Sequence, residues 1–150
     1  MLMRAKKLIT LALPIMLLGG CATDKAEKKD YKMQMAYQMK NISEESKVIN
    51  DILTSQKPVE EKAKEFKEKS KPLLETAEKV KKLEPGEKYK DVQSLLNESM
   101  DLVKESVSQT QDGLDKQDRV LLNQGLQTMS NSSKRIVEAH KKLKEMGEAN

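Results

Sequence analysis

The chain holds one thiol, Cys21, and one imidazole, His140. A nucleophile must have a base within hydrogen-bond reach, and no Gly-x-Ser-x-Gly turn supplies an alternative to the thiol. His140 lies near the end of a helical pattern beside Lys141 and Lys142, a surface setting rather than a catalytic one. Zinc needs three or four Cys, His or carboxylate ligands at set spacing, and none are so spaced. Asp112, Asp115 and Asp118 recur every third residue, whereas a calcium loop wants acids at alternate positions and a closing Glu. Here Asn123 stands where that Glu belongs, so the aspartates read as a turn and a helix cap. Neither Cys-x-x-Cys-His nor Glu-x-x-His is present for haem or a di-iron site. Met33, Met35, Met39, Met100, Met129 and Met146 recur at helical spacings as core filler. The expectation is a protein that is not an enzyme and has no resident metal or cofactor.

The elements that position these residues follow from composition and periodicity. Of 150 residues, 35% are charged and 3% aromatic; there is no Trp, one Phe (Phe66) and three Tyr (Tyr31, Tyr37, Tyr89). Such a chain is either disordered or a Lys/Glu-rich helical bundle. The formal charge of +4 is concentrated at the start: setting aside Arg4, Lys6 and Lys7 leaves 25 basic against 24 acidic side chains. That balance, with so few stacking aromatics, excludes nucleic-acid binding. With Cys21 alone, no internal disulfide can form, and the fold must rest on packing.

Met1–Lys7 is short and basic, Leu8–Leu18 is apolar, and Gly19-Gly20-Cys21 follows. An apolar run of this length falls short of the roughly 20 residues that a permanent span requires and suits a signal peptide. Leu18-Gly19-Gly20-Cys21 resembles the lipobox of bacterial lipoproteins, with Gly19 standing where Ala, Ser or Thr is more usual. The resemblance implies cleavage between Gly20 and Cys21 and diacylation of the Cys21 thiol. It also implies an anchor on the extracytoplasmic face of the cell membrane, stable because two or three acyl chains are buried. Ala22, rather than Asp, carries no inner-membrane retention signal by the same resemblance. Residues 1–20 are thus expected to be signal peptide, 21–30 the lipidated Cys and a flexible polar tether, and 31–150 a helical domain.

From Tyr31 the apolar residues take helical spacing. Tyr31, Met35, Met39, Ile42, Ile49 and Ile52/Leu53 share one face. Thr54–Pro58 breaks the pattern, and Pro58 suits the first turn of the next helix. Val59, Ala63, Phe66, Ser70, Leu73, Ala77 and Val80 then form a heptad seam. Pro72 lies inside that seam and should kink the helix near Ser70; the phase is kept across it, favouring one kinked helix over two short ones. Pro85-Gly86 marks a turn. Tyr89, Val92, Leu96, Ser99, Val103, Val107 and Thr110 mark a third helix, widened by Leu95, Met100 and Leu102 and closed by Asp112-Gly113. Asp115 is the expected cap of a last helix, which carries Leu121, Leu122, Met129, Ile136, Ala139 and Leu143 inward and runs to about Met146.

These elements predict an all-α, up-down-up-down four-helix bundle, with a three-helix bundle and a loose first helix as the alternative. Lys141, Lys142 and Lys144 would then lie at the lipidated end, near anionic headgroups. Ser46, Ser70, Ser99 and Ser132 at near-core positions suggest a thin core or grooves for a partner helix. The whole resembles small, Lys-rich helical lipoproteins of Gram-positive bacteria. It implies a membrane-anchored, non-enzymatic interaction or spacer module that meets membrane lipid through acylated Cys21 and an envelope protein through its helices. Self-association through the Val59–Val80 seam is a further reading. The alternative is a bundle that holds a small hydrophobic ligand or haem.

Overall fold

The computed structural model describes residues 30–148; the expected signal peptide, the expected lipobox with Gly20 and Cys21, and most of the expected tether lie outside the described residues. Four helices follow one another: α1 (Tyr31–Leu53), α2 (Val59–Lys81), α3 (Lys90–Lys116) and α4 (Arg119–Glu145), with no strand among the described residues. None is long and apolar enough to cross a membrane. Short connections make neighbours antiparallel, so the chain is an up-down-up-down four-helix bundle.

The helical faces read from spacing are the ones that meet. Met35, Met39, Ile42, Phe66, Leu73, Val80, Leu96, Met100, Ile136 and Leu143 are all at most 1% exposed. They join Tyr31, Val92, Met129 and Ala139 in one continuous core drawn from every helix. The first helix is therefore no loose appendage: its apolar stripe supplies a quarter of the bundle's interior faces. Each fully buried aliphatic side chain contributes on the order of 1.5–3 kcal/mol before the entropy of ordering is set against it.

α2 is the single helix expected across Pro72: it runs unbroken from Val59 to Lys81 with Pro72 inside it, on the solvent side. Two boundaries differ from the sequence-based expectation. Pro58 precedes α2 as its N-cap, and its carbonyl accepts from Glu61 and Lys62 N–H groups at 3.0 Å. The largest departure is at Asp112-Gly113, which does not close α3. Gly113 stays helical and buried, because α4 passes so near that a Cβ there would lie 2.8 Å from Leu122 Cγ. The helix instead ends at Gln117, whose left-handed backbone (φ 52°) lets Asp118 N–H donate to Gly113 O at 2.8 Å and Gln117 N–H to Leu114 O at 3.3 Å. This double bond pattern is a Schellman ending with a non-glycine at its strained position.

The cap moves with it. Asp118, not Asp115, caps α4: its Oδ1 accepts from Val120 N–H at 2.9 Å and Leu121 N–H at 3.2 Å. Asp115 stays in the last turn of α3, accepting from Gln111 Nε2. Two residues thus turn the chain through the sharpest reversal in the molecule.

That reversal sets the register of α3 against α4. Small residues recur every seventh position on both helices: Ser99, Ser106 and Gly113 on one, Gly125, Ser132 and Ala139 on the other. Ser99 Oγ donates to Ser132 O at 3.0 Å and Ser132 Oγ to Ser99 O at 3.1 Å, while Ser106 Oγ donates to Gly125 O at 2.7 Å. Seven-residue spacing of small side chains keeps one seam facing the partner and lets the backbones approach. Ser99 and Ser132 therefore occupy each other's groove, and no partner helix is needed to fill it.

Candidate functional site

Asp30, the last residue of the expected tether, is followed at once by helix. The pole at which it enters is shared by the α1 start, the α2–α3 connection and the α4 end. Tyr31 is 8% exposed, and its hydroxyl donates to Gln93 Oε1 at 2.6 Å. Gln93 Nε2 in turn donates to Val80 O and to Asn97 Oδ1, both at 2.8 Å. One buried amide thereby joins α1, the end of α2 and α3. Burial first, then the neighbouring Tyr89, pushes the Tyr31 hydroxyl well above the ordinary phenol range, so it remains a donor at any physiological pH. The two tyrosine rings stack with centroids 5.0 Å apart and planes tilted by 31°.

Outside this buried layer lies a second one. Gly147, at φ 77°, ends α4 in another Schellman turn, with Glu148 N–H on Leu143 O at 2.8 Å and Gly147 N–H on Lys144 O at 3.0 Å. The turn returns Glu148 toward the bundle. There its carboxylate accepts from Lys88 Nζ, from Lys32 Nζ at 3.0 Å and from the Tyr89 hydroxyl at 3.1 Å. Those three bonds hold the Glu148 carboxyl down to about 2. Glu148, two positions before the last residue, thus clasps Lys32, the second residue after the expected tether.

The remaining residues singled out in the sequence are scattered. His140 is half-buried on α4, and its Nδ1 is shielded from solvent without a hydrogen-bond partner, with no acid or nucleophile bonded to it. Asp112, Asp115 and Asp118 serve the α3 end and the α4 cap, and no group of three metal-competent side chains occurs among the described residues. Met35, Met39, Met100 and Met129 are in the core. Lys141, Lys142 and Lys144 are exposed at the tether pole, as the up-down order requires, and form no ion pair among the described residues. The Glu45 carboxylate is drawn inward on α1: Oε2 accepts from Thr76 Oγ1 at 3.1 Å while Oε1 is buried without a partner, and burial raises its pKa.

A feature that residue-by-residue reading passed over is the sorting of charge between the two closest helices. α3 carries three basic and six acidic side chains, whereas α4 carries six basic and two acidic. Where they touch, the signs complement: Arg135 Nε lies 3.0 Å from Glu98 Oε1. Lys134, Lys141 and Lys144 are turned away from α3, whereas Lys142, seven residues after Arg135, shares its face. The signal was legible as a count per helix, but which flank it occupied was not. No protein-family model, no curated protein and no solved structure matches this chain.

Proposed function

We propose that this chain is a membrane-anchored extracytoplasmic lipoprotein acting as a non-enzymatic spacer or protein-interaction module. Acylated Cys21 holds it to lipid, and the bundle presents helical surface to an envelope protein. The observation that carries the reading is the double clasp at the tether pole. A domain displayed on a lipid anchor is held through its first structured residue, and here that residue is buried, hydrogen-bonded and in ring contact with Tyr89. Tyr31 is fixed by Gln93 inside, and Lys32 by Glu148 outside. Motion of the tether is thereby passed to the whole bundle rather than dissipated in a fraying first turn. The interior also speaks for surface rather than cavity function. Met35, Met39, Phe66, Leu73 and Leu96 fill the bundle axis, so haem or a small hydrophobic ligand would have to displace them.

Crosslinking in cells of the natural source, followed by purification from membranes beside a Cys21→Ser control, tests both halves. A recurrent envelope partner that is lost with Cys21→Ser supports an interaction module. Membrane fractionation unchanged by Cys21→Ser overturns the anchor.

A further inference from the structure

We propose that Glu45 is a pH-sensitive latch on α1: when ionised it loosens the seating of α1 against α2, and proton uptake tightens it. The latch is intrinsic to the bundle and goes beyond the anchor reading. Glu45 stands next to Ser46 and one turn from Ile42 and Ile49, all three at most 3% exposed. Its Oε2 accepts from the Thr76 hydroxyl on α2 at 3.1 Å, and Thr76 is itself only 4% exposed. Oε1 is sealed from solvent and has no hydrogen-bond partner. An oxygen shut away in that state is costly in a carboxylate and much less so in a neutral acid.

Its partner sets Glu45 apart from other acids of the bundle. Glu65, Glu78, Glu98, Asp101 and Glu148 each meet a lysine or arginine at 3.0 Å or less. Ionisation favours each of those contacts. Glu45 meets a neutral hydroxyl and forms no ion pair among the described residues. The charges that face it come from α1 and α2, the two helices that meet here. Burial acts most strongly and raises the Glu45 carboxyl above its ordinary range; the Thr76 hydroxyl and Lys79 draw it down, and Glu44 and Glu75 add to the rise.

When α1 is released, the carboxyl returns to its ordinary value of ~4.3. A carboxyl that is raised in the fold carries no penalty below that unfolded value. The penalty grows as pH rises through the folded value and then stays. α1 is therefore seated most firmly in mild acid and bears the full penalty at neutral pH. This helix has little in reserve, with no side-chain cap, no acid in its first turn and no base in its last. In the anchored chain it is the helix that follows the tether, so ambient acidity would set how firmly the attached end of the domain is held.

Amide hydrogen exchange of the chain isolated from cells tests the latch, with wild type, Glu45→Gln and Thr76→Val compared at equal pH. Both substitutions nearly conserve shape, and circular dichroism checks that both variants fold. At about pH 7.5, α1 amides around position 45 should exchange at least about threefold more slowly in Glu45→Gln than in wild type. That advantage should shrink to a constant baseline by about pH 4, where wild type is protonated. Thr76→Val, which removes a donor to the anion, should do the opposite and steepen the pH dependence of α1. Amides of α3 and α4 should respond less than those of α1. A Glu45→Gln effect that does not vary with pH overturns the latch. So does an equal pH dependence in the two variants, or an equal change in all four helices. None of these outcomes touches the Cys21 anchor, which has its own test by fractionation of cells.

Discussion

A methyl group on Gly125 would overlap Thr110 Oγ1 and lie 3.0 Å from the Thr110 backbone nitrogen. Helix propensity alone favours alanine over glycine by ~1 kcal/mol. Even with the Thr110 hydroxyl rotated away, the Thr110 nitrogen and the Ser106 oxygen, at 3.0 and 3.2 Å, are backbone and do not yield, so overpacking should prevail: Gly125→Ala is expected to lower stability by ~1–3 kcal/mol in urea unfolding. A stabilised Gly125→Ala would mean that the α3–α4 approach is not this close. At the tether pole the relevant variable is pH. The Glu148 carboxyl is depressed to about 2 in the fold by Lys88, Lys32 and Tyr89. A depressed carboxylate stabilises above its unfolded value of ~4.3, and that contribution is lost as pH falls toward the folded value. Wild type should therefore exceed Glu148→Gln in Tm by a constant margin above about pH 5. The two curves should converge between there and about 2, as thermal melts across acid pH will show.

The elements owe their ends to different devices. α4 has a side-chain cap in Asp118, while α1, α2 and α3 have none. Gln117 carries the cost of a left-handed backbone that glycine would adopt freely. Gln117→Gly is accordingly expected to raise stability by ~1 kcal/mol and Asp118→Ala to lower it by ~1 kcal/mol. Asp115→Ala, remote from the cap bonds, should change little; chemical denaturation of the three variants decides. The misplacement of this turn in the sequence has a plain cause. Asp112-Gly113 carries the composition of a helix stop, but glycine also serves where two backbones meet. Composition does not distinguish the two uses, and Leu122, nine residues on, does.

At the scale of the molecule the bundle is asymmetric. α3 and α4 are joined by reciprocal serine bonds along a small-residue seam, whereas α1 begins without a side-chain cap, an acid in its first turn or a base in its last. It is held chiefly by its buried stripe and by the clasp at one pole. Amide hydrogen exchange should therefore show α1 opening sub-globally at lower free energy than α3 and α4. Glu148→Gln should accelerate exchange in the first turns of α1 more than elsewhere. Uniform protection across all four helices would refute this order.

Periodicity by itself determined the helices, their buried stripes and their up-down order. Those follow from local geometry: 3.6 residues per turn places Met35, Met39 and Ile42 on one face whatever they later touch. The signal peptide and Cys21 anchor stay expectations of the sequence, since they rest on a linear segment outside the described residues. Tertiary structure alone decided where Gly113 and Gly125 are used, that Ser99 and Ser132 satisfy each other, and that Glu148 returns to Lys32. Which flank of each helix meets its neighbour depends on how that helix is rotated about its axis. That rotation is set by which small residues allow close approach, and distant pairs of side chains, rather than neighbours in the chain, determine it.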